Sequence, residues 1–192
     1  MYTKKDFTKL KGMPGFSDKL LEIHFSLYEG YVNGTNKILD LQKTLTKDSP
    51  EYAETKRRLG WELNGIILHE LYFQNLGGGG RLDGSGKLAG DLDKFFGDFA
   101  RWKEDFTATG KMRGIGWVVL YQNPQDGSLM NAWINEHDTG HPAGFNPILV
   151  MDVFEHSFFP DYGKDKAAYI EAFFINIDWK IAEDRFIDAI GG

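Results

Sequence analysis

A run of glycines near the middle of the chain, Gly77-Gly78-Gly79-Gly80 followed by Asp83-Gly84-Ser85-Gly86, constrains the fold more than any other feature. Glycine loses more backbone freedom on folding than any other residue and offers no side chain to pack, so helices and strands tend to stop at such a stretch. It is the most flexible-looking segment of the sequence. We read it as the boundary between a domain of residues 1–80 and a domain of residues 81–192.

Before the glycines the pattern is helical. Residues 17–45 read as one long helix, with Ser17 or Asp18 as its cap and Leu20, Ile23, Leu27, Tyr31, Ile38, Leu41 and Leu45 at roughly helical spacing. Asp48-Ser49-Pro50 breaks it, and a second helix is expected over 51–75. Past the glycines, 88–96 and 98–109 read as two further helices, and then the period changes. Residues 116–121, 129–135 and 147–151 are strand candidates, with Asn123-Pro124-Gln125-Asp126-Gly127 as a turn, and one last helix is expected over 164–190. The class is therefore α+β: an N-terminal helical hairpin domain, then an α+β domain with a small antiparallel three-stranded sheet.

Composition narrows the function. The chain has 192 residues and no cysteine, which excludes disulfides, iron–sulfur clusters and thiolate zinc sites. A net charge of −6 argues against a nucleic-acid partner. Lys4, Lys5, Lys9 and Lys11 are not followed by an unbroken apolar run, so no cleaved secretory signal is expected, and no stretch is long and apolar enough for a membrane span. A cytoplasmic location is expected.

Of the five histidines, His24 lies among apolar neighbours on the first helix and His69 follows Ile66-Ile67-Leu68 on the second. Two imidazoles on the apolar sides of paired helices can meet in the groove between them. A buried neutral ring needs a partner for both nitrogens, and a metal supplies one. Asp152, at the end of an apolar strand, and His156, four residues on, complete a nitrogen/oxygen set suited to iron or manganese. The Asp-x-x-x-His spacing alone fits equally simple structural roles, Asp152 capping the next helix and His156 packing.

Beyond spacing, Asp152-Val153-Phe154-Glu155-His156-Ser157-Phe158-Phe159 resembles the Asp-Val-Trp-Glu-His-Ala-Tyr-Tyr signature of iron/manganese superoxide dismutases. Gly114-Ile115-Gly116-Trp117 resembles that family's Gly-Ser-Gly-Trp strand, Ile23-His24 with Tyr31-Val32-Asn33 its first ligand motif, and Asn64-Gly65 leading to His69 its second. The resemblance spans nearly the whole chain. It implies a mononuclear iron or manganese ion held by His24, His69, Asp152 and His156, superoxide as substrate, and a homodimer in which Glu155 reaches His156 of the opposite subunit.

Several positions depart from the family pattern. Tyr31, the expected gateway tyrosine, follows His24 by seven residues where eight are usual, which implies a more regular first helix. Tyr28 and Phe159 replace the His and Tyr that bond across the dimer, Phe73 and Phe154 replace tryptophans, and Lys166 replaces the arginine of the substrate funnel. The family uses a Gln or His to hydrogen-bond the solvent on the metal. Gly65 cannot supply one, so His137, in Asn135-Glu136-His137-Asp138, takes that place; among relatives a His there accompanies iron or metal-tolerant enzymes and a Gln manganese, so iron is expected, with manganese as the alternative. His141 has no assigned role and is expected at the surface. Two other readings remain at this point, a mononuclear iron oxygenase and a non-catalytic structural relative. Four intact protein ligands argue against both, and the absence of basic extensions argues against the second.

Overall fold

The computed structural model describes residues 1–191. Its order is two long helices, α1 (Asp18–Thr44) and α2 (Pro50–Gln74), two shorter ones, α3 (Lys87–Phe96) and α4 (Phe99–Lys111), three strands, β1 (Trp117–Gln122), β2 (Leu129–Ile134) and β3 (Asn146–Asp152), and then α5 (Phe159–Tyr162), α6 (Lys166–Asn176) and α7 (Trp179–Gly191). The fold is a helical hairpin followed by an α+β part with a three-stranded antiparallel sheet, as the sequence implies. Among the described residues, no helix is long and apolar enough to cross a membrane.

Local chemistry fixes the ends of the hairpin helices. Ser17 Oγ accepts the Leu20 N–H and Ser49 Oγ accepts the Tyr52 N–H, each satisfying a donor the helix leaves unpaired. Pro50 sits at the start of α2, where its missing N–H costs nothing. The buried face of α1 is Leu20, Leu21, His24, Tyr28, Val32, Thr35 and Ile38. Ile23, Leu27 and Leu41, which helical spacing had placed on that face, are exposed. Apolar residues flank both sides of His24 in sequence, so periodicity alone could not choose between two neighbouring stripes.

The sheet order is β2-β1-β3 with both pairs antiparallel. β1 is central and buried throughout. Its register sets Trp117 beside Ile134 on one side and Asp152 on the other. One end of the sheet therefore carries Trp117, Asp152 and the segment that follows β2.

Two expectations fail here. The single last helix is two, α6 and α7, and the cause is the glycine run, which is docked and not a free linker. The N–H groups of Gly77 and Gly78 donate to the Asn176 carbonyl and that of Gly80 to the Ile177 carbonyl, while Asp178 N–H donates to the Asn75 carbonyl. Those contacts use the backbone groups a continuous helix would need. The approach is close enough that a Cβ on Gly78 would lie 2.2 Å from the Asp178 Cα.

Candidate metal centre

Helix geometry brings the first two histidines together. His24 and His69 are fully buried, with ring centroids 5.1 Å apart across the hairpin. Asp152 is the last residue of β3, and His156 sits in a short 3-10 turn, Glu155–Ser157. One donor atom from each of His24, His69, Asp152 and His156 falls within 4.8 Å of the others. The Asp152 Oδ2 lies 3.1 Å from His24 Nε2, 3.1 Å from His156 Nε2 and 3.7 Å from His69 Nε2.

The hydrogen bonds test whether this group suits a cation. His69 Nδ1 is 2.6 Å from the Gly65 carbonyl, which can only accept, so Nδ1 carries the proton and Nε2 of the neutral ring is a bare lone pair. That lone pair is buried, has no hydrogen-bond partner and faces a carboxylate. Protonation does not relieve it, because burial, followed by the charge of His24, pushes the His69 imidazole well below its ordinary range. Burial lowers His24 likewise, against the pull of Asp152. Burial by itself would raise the Asp152 carboxyl, yet the imidazoles of His156 and His24 hold it ionised. Imidazole nitrogens and a carboxylate oxygen gathered this closely form a set that fits an iron or manganese cation.

The carboxylate is held from behind. Asp152 Oδ1 accepts the Phe154 N–H at 2.8 Å in a local turn, while the helical turn that follows is capped by Phe154 with no side-chain bond, so Asp152 is not its cap. Tyr169 donates to the Asp152 carbonyl at 2.6 Å, and Tyr72, 3.2 Å away, is left to donate to Tyr169. Both phenols are pushed up by burial.

A second group stands beside the cluster. Tyr31 Oη is 2.8 Å from His137 Nε2. The indole N–H of Trp117 donates to His137 Nδ1 at 3.0 Å. An indole N–H cannot accept, so Nδ1 of His137 must, and its ring proton is on Nε2, directed at Tyr31. Burial lowers the His137 imidazole to about 4, so it stays neutral near pH 7. α1 runs unbroken from His24 to Tyr31, as the short spacing implies. Gly65 is indispensable to this arrangement, since a Cβ there would sit 2.6 Å from the Tyr31 ring.

Sequence reasoning missed part of the site. Trp61 packs against both Tyr31 and His137, with the Arg58 guanidinium 3.8 Å over its ring. The spacing 61, 65, 69 along α2 was the available signal. Tyr169 lies far from any motif and had none. His141, expected at the surface, is half-buried: its Nε2 is 2.9 Å from the His137 carbonyl and its Nδ1 2.7 Å from Tyr121 Oη. The polar letters of its turn hid a hydrogen-bonded place inside. The Lys166 ammonium donates to the Met112 and Gly114 carbonyls and keeps a partly exposed position.

Known proteins bear on this geometry. The iron/manganese superoxide dismutases, alpha-hairpin domain, match residues 6–77, and the iron/manganese superoxide dismutases, C-terminal domain, match residues 84–185. The chain is 41% identical over 188 residues to an iron superoxide dismutase of Cupriavidus metallidurans, covering 93% of this chain and 92% of that one. It is 34% identical over 182 residues to a manganese enzyme of Halobacterium salinarum (92% and 89% covered) and 31% identical over 185 residues to an iron enzyme of Pyrobaculum aerophilum (93% and 88%). The relatives are named for both metals and so leave the choice between them open. With two domain profiles matched in order and a buried His/Asp cluster in place, the chain belongs to the iron/manganese superoxide dismutase family.

Proposed function

We propose that the protein converts superoxide to dioxygen and hydrogen peroxide at one iron ion per subunit, held by His24, His69, Asp152 and His156. The observation that carries this reading is the unpaired His69 lone pair facing the Asp152 carboxylate in a buried site. The metal supplies one-electron cycling between its divalent and trivalent states, so that one superoxide is oxidised and a second reduced with uptake of two protons.

The chain's own groups do the rest. The Asp152 carboxylate offsets the cation's charge, and the Gly65 carbonyl orients the His69 ring. Tyr31 and His137 form the hydrogen-bonded pair beside the metal, with His137 as a fixed Nε2–H donor. The Tyr31 hydroxyl stays protonated because burial raises it. The His137 N–H is taken by the neutral Tyr31 hydroxyl, which leaves the Tyr31 proton to be donated to a negatively charged oxygen beside the cluster, and the strength of that bond would tune the metal. A neutral His137 in this place, with Gly65 unable to contribute, favours iron over manganese. Lys166 offers local positive charge to an anionic substrate that the overall −6 repels.

The homodimer and the domain limits 1–80 and 81–192 belong to the same reading. Glu155 is exposed beside His156, and Phe159 is exposed next to it, as expected of an interface. The Tyr28 hydroxyl is engaged within its own chain by the Lys5 N–H and Glu70, so the cross-dimer bond of the family is replaced. The reading places the enzyme in the cytoplasm, which fractionation checks. The deciding experiment is reconstitution of the metal-free protein separately with iron and with manganese, with His137→Gln alongside. Iron should give the higher activity in wild type, and the substitution should change the ratio. Equal ratios in the two proteins would end the argument for iron.

A further inference from the structure

His137 is delivered by a short loop that would not hold itself. Residues 135–139 are closed by a pair of backbone hydrogen bonds, Asn135 N–H to the Thr139 carbonyl at 3.0 Å and Thr139 N–H to the Asn135 carbonyl at 3.3 Å. Within it, Glu136 has φ 57°, a left-handed conformation that costs a non-glycine residue roughly 1–2 kcal/mol. Strain of this kind persists only where surrounding contacts over-determine the backbone.

Two such contacts come from β1. The first is the Trp117 indole on the His137 ring. The second runs through His141. The His137 carbonyl can only accept, so His141 Nε2 must carry its proton. With its proton on Nε2, the ring offers Nδ1 as an acceptor, and the Tyr121 hydroxyl, 2.7 Å away, can donate to it. The relay has one sense throughout: Tyr121 O–H to His141 Nδ1, His141 Nε2–H to the His137 carbonyl. Tyr121 is buried, so its hydroxyl depends on this partner. Trp117 and Tyr121 stand four residues apart on the same strand, so β1 grips His137 at two points, ring and backbone.

We infer that His141 and Tyr121 are positioning residues for His137, bracing the 135–139 loop so that its imidazole N–H stays presented to Tyr31. The inference rests on the role proposed for His137 above. Neither brace residue is placed among the metal-holding groups, so both can be changed with the metal site intact. Loss of the brace frees the strained loop to relax, which lengthens the Trp117 to His137 and His137 to Tyr31 bonds together.

The test uses the full chain in four forms: wild type, His141→Ala, His141→Gln and Tyr121→Phe, with His137→Gln as reference. Glutamine can keep a donor on the His137 carbonyl, whereas alanine cannot. In the metal-free proteins, hydrogen exchange of the Trp117 indole N–H is followed by NMR, with the indoles of Trp102 and Trp179, bonded to Asn131 and the Gly80 carbonyl, as controls for general loosening. His141→Ala should speed Trp117 exchange about tenfold with the controls unmoved, and lower the activity per bound metal by a similar factor. Tyr121→Phe should do the same more weakly, and His141→Gln should restore both. If His137→Gln alters activity but His141→Ala leaves Trp117 exchange and activity per metal at wild-type values, the brace is refuted and the His137 role survives. If His137→Gln alters nothing, the His137 role itself fails. Equal damage from glutamine and alanine, or loss of protection at all three indoles, would also overturn the brace.

Discussion

The two halves of the centre hold their residues by different means. In the hairpin, His24, Tyr31, His69 and Gly65 ride on unbroken helices, and a side chain's position follows from its register plus one backbone bond, such as His69 Nδ1 to the Gly65 carbonyl. In the α+β half, Asp152 ends a strand, His156 sits in a single 3-10 turn and His137 on a five-residue loop. There, placement is enforced by other side chains: Tyr169 on Asp152, Trp117 and His141 on His137, and Ser157 Oγ on the Phe154 carbonyl. A helix supplies rigidity with its own backbone, whereas a loop must borrow it from neighbours.

The largest expected effect breaks the helical half at a donor. His69→Ala should remove most of the bound metal and at least about 99% of the activity, since outer hydrogen-bond partners alone typically cost 10–100-fold and this change removes a nitrogen of the cluster. Metal content and a superoxide assay on the same preparation check it. Full metal occupancy in the variant would detach His69 from the site.

Gly65→Ala probes the same helix by a subtler route. By propensity alone alanine should stabilise a helix interior by about 1 kcal/mol. Here its Cβ would fall 2.6 Å from Tyr31 Cδ1, so the ring must move away from His137. The outcome expected is normal metal content with activity down roughly tenfold. An active variant with an unshifted Tyr31 would remove the steric argument.

The hairpin and its two histidines were legible in the sequence, and the family resemblance supplied Asp152, His156 and His137, but Trp61 and the contacts that hold the loop were not legible. Long amphipathic runs, Ser-capped starts and Pro50 announce the hairpin, and His24 and His69 stand out as lone imidazoles in apolar surroundings. The strands were visible because β1 and β3 are continuous apolar runs. What stayed hidden depends on contacts distant in sequence. Tyr169 reaches Asp152 from seventeen residues on, His141 looks like a polar turn residue, and the break between α6 and α7 is made by glycines about a hundred positions earlier. No local pattern encodes which carbonyls those glycines take.

Tyr169→Phe sharpens the comparison on the side of the sheet. It removes the shorter of two donors to the Asp152 carbonyl, the other being Ser157 Oγ at 3.2 Å, and the acceptor for the Tyr72 hydroxyl, both buried. The expected cost is about 1–3 kcal/mol. For a chain of this size, that lowers Tm by about 2–4 °C per kcal/mol, read by calorimetry on the metal-loaded protein. Metal content should be kept, because the carboxylate still has the Phe154 N–H. A variant that loses its metal would mean that the strand end cannot hold Asp152 without this phenol.

The smallest effect is expected at Glu136, the one described non-glycine residue with positive φ. Glu136→Gly removes a left-handed penalty of roughly 1–2 kcal/mol. It also gives the unfolded chain more freedom, which offsets about 0.5–1 kcal/mol of that gain. It loses the long contact from the Trp61 indole at 3.4 Å, worth little at that distance. The net change in stability should therefore stay within about 1 kcal/mol. Activity per metal is the informative reading. If the loop is held by Trp117 on the ring and His141 on the carbonyl, a glycine at 136 should leave activity within about twofold of wild type, because both grips remain. If activity drops tenfold while stability holds, the stiffness of residue 136 itself was setting the His137 ring, and the contrast between self-supporting helices and borrowed support in the loop would have to be redrawn.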